Sequence, residues 1–248
     1  LVFWAMDAWF LHGIGAGDVA ASAAALRGAL GLVLVLITVI GGRIVPAFTR
    51  NALGQSGKDK VIRSYPLVEK LVVPAMLGYA VADMAAPGGM VTAWVAAFAA
   101  ALQAWRLSGW QGLRTASTPI VWILHVAYLW LPVGLALKAA FLFGEFAWAA
   151  YWQHALGAGA AGSMILAVMT RAALGHTGRP LRAHPVTIAA YLLMTLAVAV
   201  RVFGPSLAPA SYVGVVMTAG TLWFAAFTLY VAVYAPVLLL PRVDGKPG

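Results

Sequence analysis

The chain has 248 residues, of which 63% are hydrophobic and 9% charged, with a mean hydropathy of +0.90. A soluble domain carries about 25% charged residues, so this balance points to an integral membrane protein. The net charge of +9 is carried mostly by connections between apolar runs, where membrane topology and anionic lipid account for it, and nucleic acid is excluded as a partner.

The chain has no cysteine. That rules out disulfides, thiolate-ligated metal and covalent attachment through C-x-x-C-H, and leaves histidine, methionine and carboxylate as metal donors.

In chain order, the opening LVFWAMDAWF lacks a starting Met, a basic n-region and a small-residue cleavage site, so it does not read as a signal peptide. It reads as the second half of a cut helix, and the chain is expected to be a fragment. A first partial span (residues 1–12) precedes full spans at about 23–44, 67–85, 90–105, 119–143, 151–174, 186–202 and 212–240. Residues 46–65 form a long polar connection. The fold class is all-α: a polytopic transmembrane bundle of about seven full spans plus one partial one, in a single membrane-embedded domain over residues 1–248.

The charges test this division. Arg43, Arg50, Lys58, Lys60, Arg63, Lys70, Arg106, Arg114, Arg171, Arg179, Arg182, Arg242 and Lys246 fall on one side, which is 13 of the 16 basic residues. Arg27 and Arg201 fall on the other, and Lys138 sits within a span from which its long stem can snorkel. The basic side and the C-terminus are therefore expected in the cytoplasm.

The five histidines separate by depth. His125 lies six residues past Pro119, roughly 9 Å in from the basic side, and His154 roughly 5 Å in from the other. His12 ends the first partial span, while His176 and His184 lie in a basic-side connection. Two ligands of one metal stand about 4 Å apart, so His125 and His154 are not expected to share one.

Four segments carry a resemblance: the LHG around His12, GGRIVPAFTRNAL from Gly41, RLSGWQGLRT with PIVWILHVAYLWLP from Arg106, and HALGAGAAGSMILAVMTRAALGHTGRP from His154. Together they closely resemble the NnrS family of multi-spanning bacterial membrane proteins, in the same order and over nearly the whole chain. The resemblance implies non-covalent b-type haem, copper, an inner-membrane location and a role in the response to nitric oxide, with nitric oxide as a small-molecule ligand. It also implies further N-terminal spans with a histidine-rich W-H-x-H-E motif, which this sequence lacks. Gly157 stands where family members commonly carry a hydroxyl residue.

Each candidate residue carries two readings. His154 and His12 are haem or metal ligands by resemblance, or interfacial imidazoles bonded to water. His125, with Trp122 and Tyr128 three residues to either side, suits a ring-lined cofactor pocket or a packed aromatic seam. His176 is a further metal candidate or part of a helix-ending turn, and His184 faces solvent. Arg43, Arg50, Arg171 and Arg179 form a basic cluster for an anion such as haem propionates, or simply mark the cytoplasmic side. Met164 and Met169 are soft copper donors or packing. Asp7 and Asp83, near or within spans, mark pairing or function, with an interfacial position the plainer reading of Asp83. At 100° per residue His154 shares a small-residue face with Ala158, Ala161, Ile165 and Ala172, over which a helix or flat cofactor could come close.

GAGAAG from Gly157 imitates a dinucleotide fingerprint, but it lies inside an apolar helix rather than between a strand and a solvated helix start. No nucleophile–base arrangement, zinc spacing or phosphate loop is present, so the residues specify no reaction. The competing function is a cofactor-free transporter or channel using the Gly/Ala-rich helix, Asp83 and the histidines, and a purely structural membrane partner is a third.

Overall fold

The computed structural model describes residues 1–55 and 62–245, and Lys58, Lys60 and Lys246 of the expected basic side lie outside them. All regular structure among the described residues is helical. Helix α1 (Val2–Gly15) and helix α2 (Val19–Leu36) pair through a tight turn, and the Asp18 side chain caps α2 by accepting from the Ala21 amide at 2.9 Å. A π-helical turn (Ile37–Gly41) leads into α3 (Gly42–Gln55). Then follow α4 (Pro66–Ala85), α5 (Met90–Ser108) and α6 (Pro119–Gly144). The short α7 (Trp152–His154) runs through a second π-helical stretch (Ala155–Gly162) into α8 (Ser163–His176). Helices α9 (Pro185–Leu207) and α10 (Tyr212–Leu239) close the chain. Pro66, Pro119 and Pro185 each open a helix, where the missing N–H would have no helical partner anyway.

Six helices among the described residues are long and apolar enough to cross a membrane. The expected seventh span is α4, which has 20 residues but carries Glu69, Lys70 and Asp83. Two of these charges are neutralised inside the bundle, Glu69 by Arg106 and Asp83 by Lys138, and α4 packs between α2 and α5. Central α6 has the most buried span, packed by α5, the second π stretch and α8.

Two expectations change. The connection expected after Ile44 begins as helix: α3 continues through Pro46 because Val45, Thr49 and Leu53 form a buried stripe at a spacing of four, with Arg43 and Arg50 exposed. The span carrying His154 is not regular either. From Ala155 to Gly162 its turns are wider than α-helical, so the 100° projection breaks down there. The buried side is Ala155, Leu156, Gly159 and Ala160, while Ile165 is half exposed. Close approach does occur, but on that other side: a Cβ on Gly159 would lie 2.7 Å from Trp130, and one on Gly134 would lie 2.5 Å from Leu156.

Candidate functional site

Polar side chains inside the bundle gather in two places, one toward each side. Toward the basic side, Arg106 on α5 is 5% exposed. Its guanidinium meets Glu69 of α4 twice, at 2.9 Å through Nε and 2.5 Å through Nη2, the planar fork matching the carboxylate. Its Nη1 donates to the Thr38 carbonyl at 2.7 Å and to the Tyr128 hydroxyl at 3.2 Å. The Tyr128 hydroxyl donates to Gln103 at 2.6 Å, and the Gln103 amide donates to the Thr38 hydroxyl at 2.8 Å. Thr38 lies in the first π-helical turn, where a widened turn leaves carbonyls in search of partners. Gly42 closes the arrangement, since any side chain there would overlap the Arg106 guanidinium.

His125 lies beside this cluster, 8% exposed, with its Nε2 2.7 Å from the Thr49 hydroxyl oxygen. Thr49 has one hydroxyl hydrogen and donates it to the Val45 carbonyl at 2.8 Å. The ring hydrogen of His125 therefore sits on Nε2 and donates to Thr49, which leaves Nδ1 with a bare lone pair. This tautomer follows from the hydrogen-bond pattern. Nδ1 is buried and makes no hydrogen bond among the described residues.

His125 also lines a groove of about 650 Å³ together with Leu107, Gln111, Arg114, Trp122 and Leu129, within the range of small-molecule and cofactor sites. The turn formed by Gly112–Thr115 roofs it, held by Gln111 at a left-handed φ of 58°. Gly112 lies so near the imidazole that a Cβ there would come 2.7 Å from Nδ1. Trp110 packs edge-on against both His125 and Tyr128, with centroids 6.4 and 4.6 Å away. Both sequence readings of His125 thus meet in one place: an aromatic seam on one side and a groove on the other.

Toward the opposite side, Lys138 on α6 and Asp83 on α4 form a buried ion pair. Tyr79 donates to the second Asp83 oxygen at 3.5 Å, and the Lys138 ammonium stands 3.8 Å over the Trp152 ring. Lys138 is 0% exposed, so it does not snorkel, and Asp83, 3% exposed, is buried against it. Neutralisation in place holds both charges in the bundle.

The remaining candidates are dispersed. His12 is exposed on α1, and His154 is partly buried and stacked on Tyr151 with centroids 6.4 Å apart. His176 is exposed, its carbonyl accepting from Arg242 at 2.6 Å. Arg171 lies over Phe48 of α3, 3.7 Å from the ring centroid, while Arg179 donates instead to the Val237 carbonyl of α10 at 3.3 Å. None of Arg43, Arg50, Arg171 and Arg179 lines the His125 groove. Among the described residues no three His, Asp or Glu side chains converge as a metal site. Two thioethers do come together, because a Cβ on Gly28 would lie 2.7 Å from Met6 Sδ and 2.9 Å from Met84 Sδ. Met164 and Met169, which the sequence left as copper donors or packing, both line an apolar groove between α2, α3 and α8.

The profile of the family described as NnrS protein matches residues 1–242. The chain belongs to the NnrS family. No curated protein and no solved structure matches it significantly. Two of the four NnrS-like segments meet around the basic-side cluster: Gly42 and Thr49 come from the one that starts at Gly41, and Arg106, Gly112, His125 and Tyr128 from the one that starts at Arg106. Sequence reasoning gave Arg106 only a topological role and passed over Glu69, Gln103, Thr38 and Thr49. Their signal was available, since Glu69 and Gln103 are polar residues within expected spans.

Proposed function

We propose that this NnrS chain is a multi-spanning protein of the bacterial inner membrane, its C-terminus cytoplasmic, that holds haem and copper and serves the response to nitric oxide. The observation that carries this reading is the buried His125 imidazole, fixed through Nε2 by Thr49 and left with an unpartnered Nδ1 beside a groove of about 650 Å³. A histidine whose second nitrogen donates to an oxygen is oriented for ligation. The groove offers an apolar wall, the Trp122 ring and, in place of the four arginines expected from sequence, Arg114 for an anionic edge. Gly112 covers Nδ1, so ligation there involves movement of the turn that follows Gln111.

His12, His154 and His176 lie on other elements, and we place them outside that centre. Haem would supply an iron at which a diatomic ligand such as nitric oxide binds, and His125 and Arg114 would position it. For copper, the soft donors that come together are Met6 and Met84. The transporter reading leaned on Asp83 as part of a polar path, and the ion pair with Lys138 occupies that carboxylate. No reaction is assigned.

The test is an optical spectrum of the detergent-purified protein, oxidised and reduced, after addition of haem, with iron and copper counted on the same sample. A Soret band lost in His125→Ala and kept in His184→Ala supports the reading. A band indifferent to His125→Ala removes His125 as the ligand, and a sample that takes up neither metal contradicts the function.

A further inference from the structure

Thirteen of the 16 basic residues fall on the side expected to be cytoplasmic, and three fall elsewhere. Of those three, Lys138 is neutralised by Asp83. Arg201 is not. It sits near the far end of α9, and among the described residues it forms neither an ion pair nor a hydrogen bond, although its Nη1 is buried. An arginine on the side that positive-inside sorting depletes has a cost in topology, and a buried guanidinium donor without an acceptor has a second cost in desolvation.

Among the described residues no carboxylate forms an ion pair with Arg201. Its guanidinium carbon lies 5.8 Å from the Tyr151 ring centroid. The His154 imidazole stacks on the same ring, tilted from it by 20°, and lies within electrostatic range of Arg201. His154 makes no side-chain hydrogen bond among the described residues, and Tyr212 borders Tyr151 from α10 at 6.4 Å. Two nitrogen-bearing groups without a hydrogen bond among the described residues, one a permanent cation, thus lie beside one aromatic ring at the side where α7 and α10 begin and α9 ends. His154 stands immediately before the π-helical stretch, and such widened turns recur where a helix must re-aim side chains at a functional site.

We infer that Arg201 and His154, both beside the Tyr151 ring, form a binding site for a small anion, a carboxylate or phosphate-type oxyanion, on the side of the bundle opposite its basic connections. Guanidinium supplies charge and a planar donor fork, and the imidazole supplies a second donor. The ligand is a free anion or the phosphate of an anionic lipid headgroup, which share this chemistry. The site is separate from the His125 groove and does not depend on haem.

The experiment measures the melting temperature of the purified protein in zwitterionic detergent while sodium phosphate, sodium acetate and sodium chloride are titrated separately. Parallel samples in nanodiscs compare phosphatidylcholine alone with phosphatidylcholine plus phosphatidylglycerol. Arg201→Gln and His154→Gln are compared with Arg242→Gln, which removes a basic residue on the other side. Expected is a saturable rise of about 3 °C at tenfold excess over the dissociation constant, lost in Arg201→Gln, weakened in His154→Gln and kept in Arg242→Gln. A response to the oxyanion salts identifies a free anion, and one seen only with phosphatidylglycerol identifies a headgroup. Should Arg201→Gln fail to fold, Arg201→Lys keeps the charge, loses the fork and is expected to bind about tenfold more weakly. A response unchanged in either Arg201 variant, or no saturable rise in either arm, overturns the proposal.

Discussion

The two polar regions inside the bundle are built on different terms. Near the opposite side, Asp83 and Lys138 close on each other, with Tyr79 and Trp152 covering what remains. Near the basic side, Arg106, Glu69, Gln103, Tyr128 and Thr38 satisfy one another, but His125 at their edge keeps a free nitrogen beside a groove. A closed pair can hold helices in register, whereas ligand chemistry needs a group left over. On that difference rests our proposal of the Asp83 region as scaffold and the His125 region as site.

The largest expected effect breaks the scaffold. Asp83→Asn leaves the Lys138 ammonium buried and unpaired and is expected to cost about 3–5 kcal/mol, measured as lost thermal stability of the detergent-solubilised protein. Replacing both partners together, Asp83→Leu with Lys138→Met, is expected to recover most of that loss. A double variant no better than the single one would show that the pair does more than neutralise itself. Next comes Tyr128→Phe, which strands the Gln103 carbonyl and removes one partner of Arg106, an expected loss of about 1–3 kcal/mol. Thr49→Val is smaller in stability, about 1–2 kcal/mol, but should act on the site, because it takes away the oxygen that orients His125. Its readout is a weakened and shifted Soret band in haem-loaded protein, while Tyr128→Phe leaves the band in place. Smallest is Asp18→Ala, which removes the α2 cap for about 1 kcal/mol and touches neither region.

The fold class and the order of spans were legible because apolar run length and basic-residue sidedness are properties of local sequence. The α3 helix was not, since its stripe of Val45, Thr49 and Leu53 is short and Pro46 reads as a stop. The wide turns at Ile37–Gly41 and Ala155–Gly162 were hidden for a related reason: a regular projection presumes the periodicity that they break. His125 was legible as a candidate from its flanking aromatic residues. Its partner Thr49 was not, because it is 76 residues away in sequence and only the packing of α3 on α6 joins them. The same holds for Asp83 with Lys138 and for Met6 with Met84. Local sequence shows that a polar residue lies in a span; the pairing belongs to tertiary packing.

The central claim is that the His125 ring is held with its hydrogen on Nε2 and a bare Nδ1 under Gly112, beside the groove. Nitrogen NMR of protein labelled at the histidine ring, with His125→Ala identifying the resonances, tests this directly. A protonated Nε2 and an unprotonated Nδ1, the latter signal shifting when haem is added, is the predicted result. A hydrogen on Nδ1, or a ring whose signals ignore both haem and Thr49→Val, would contradict it.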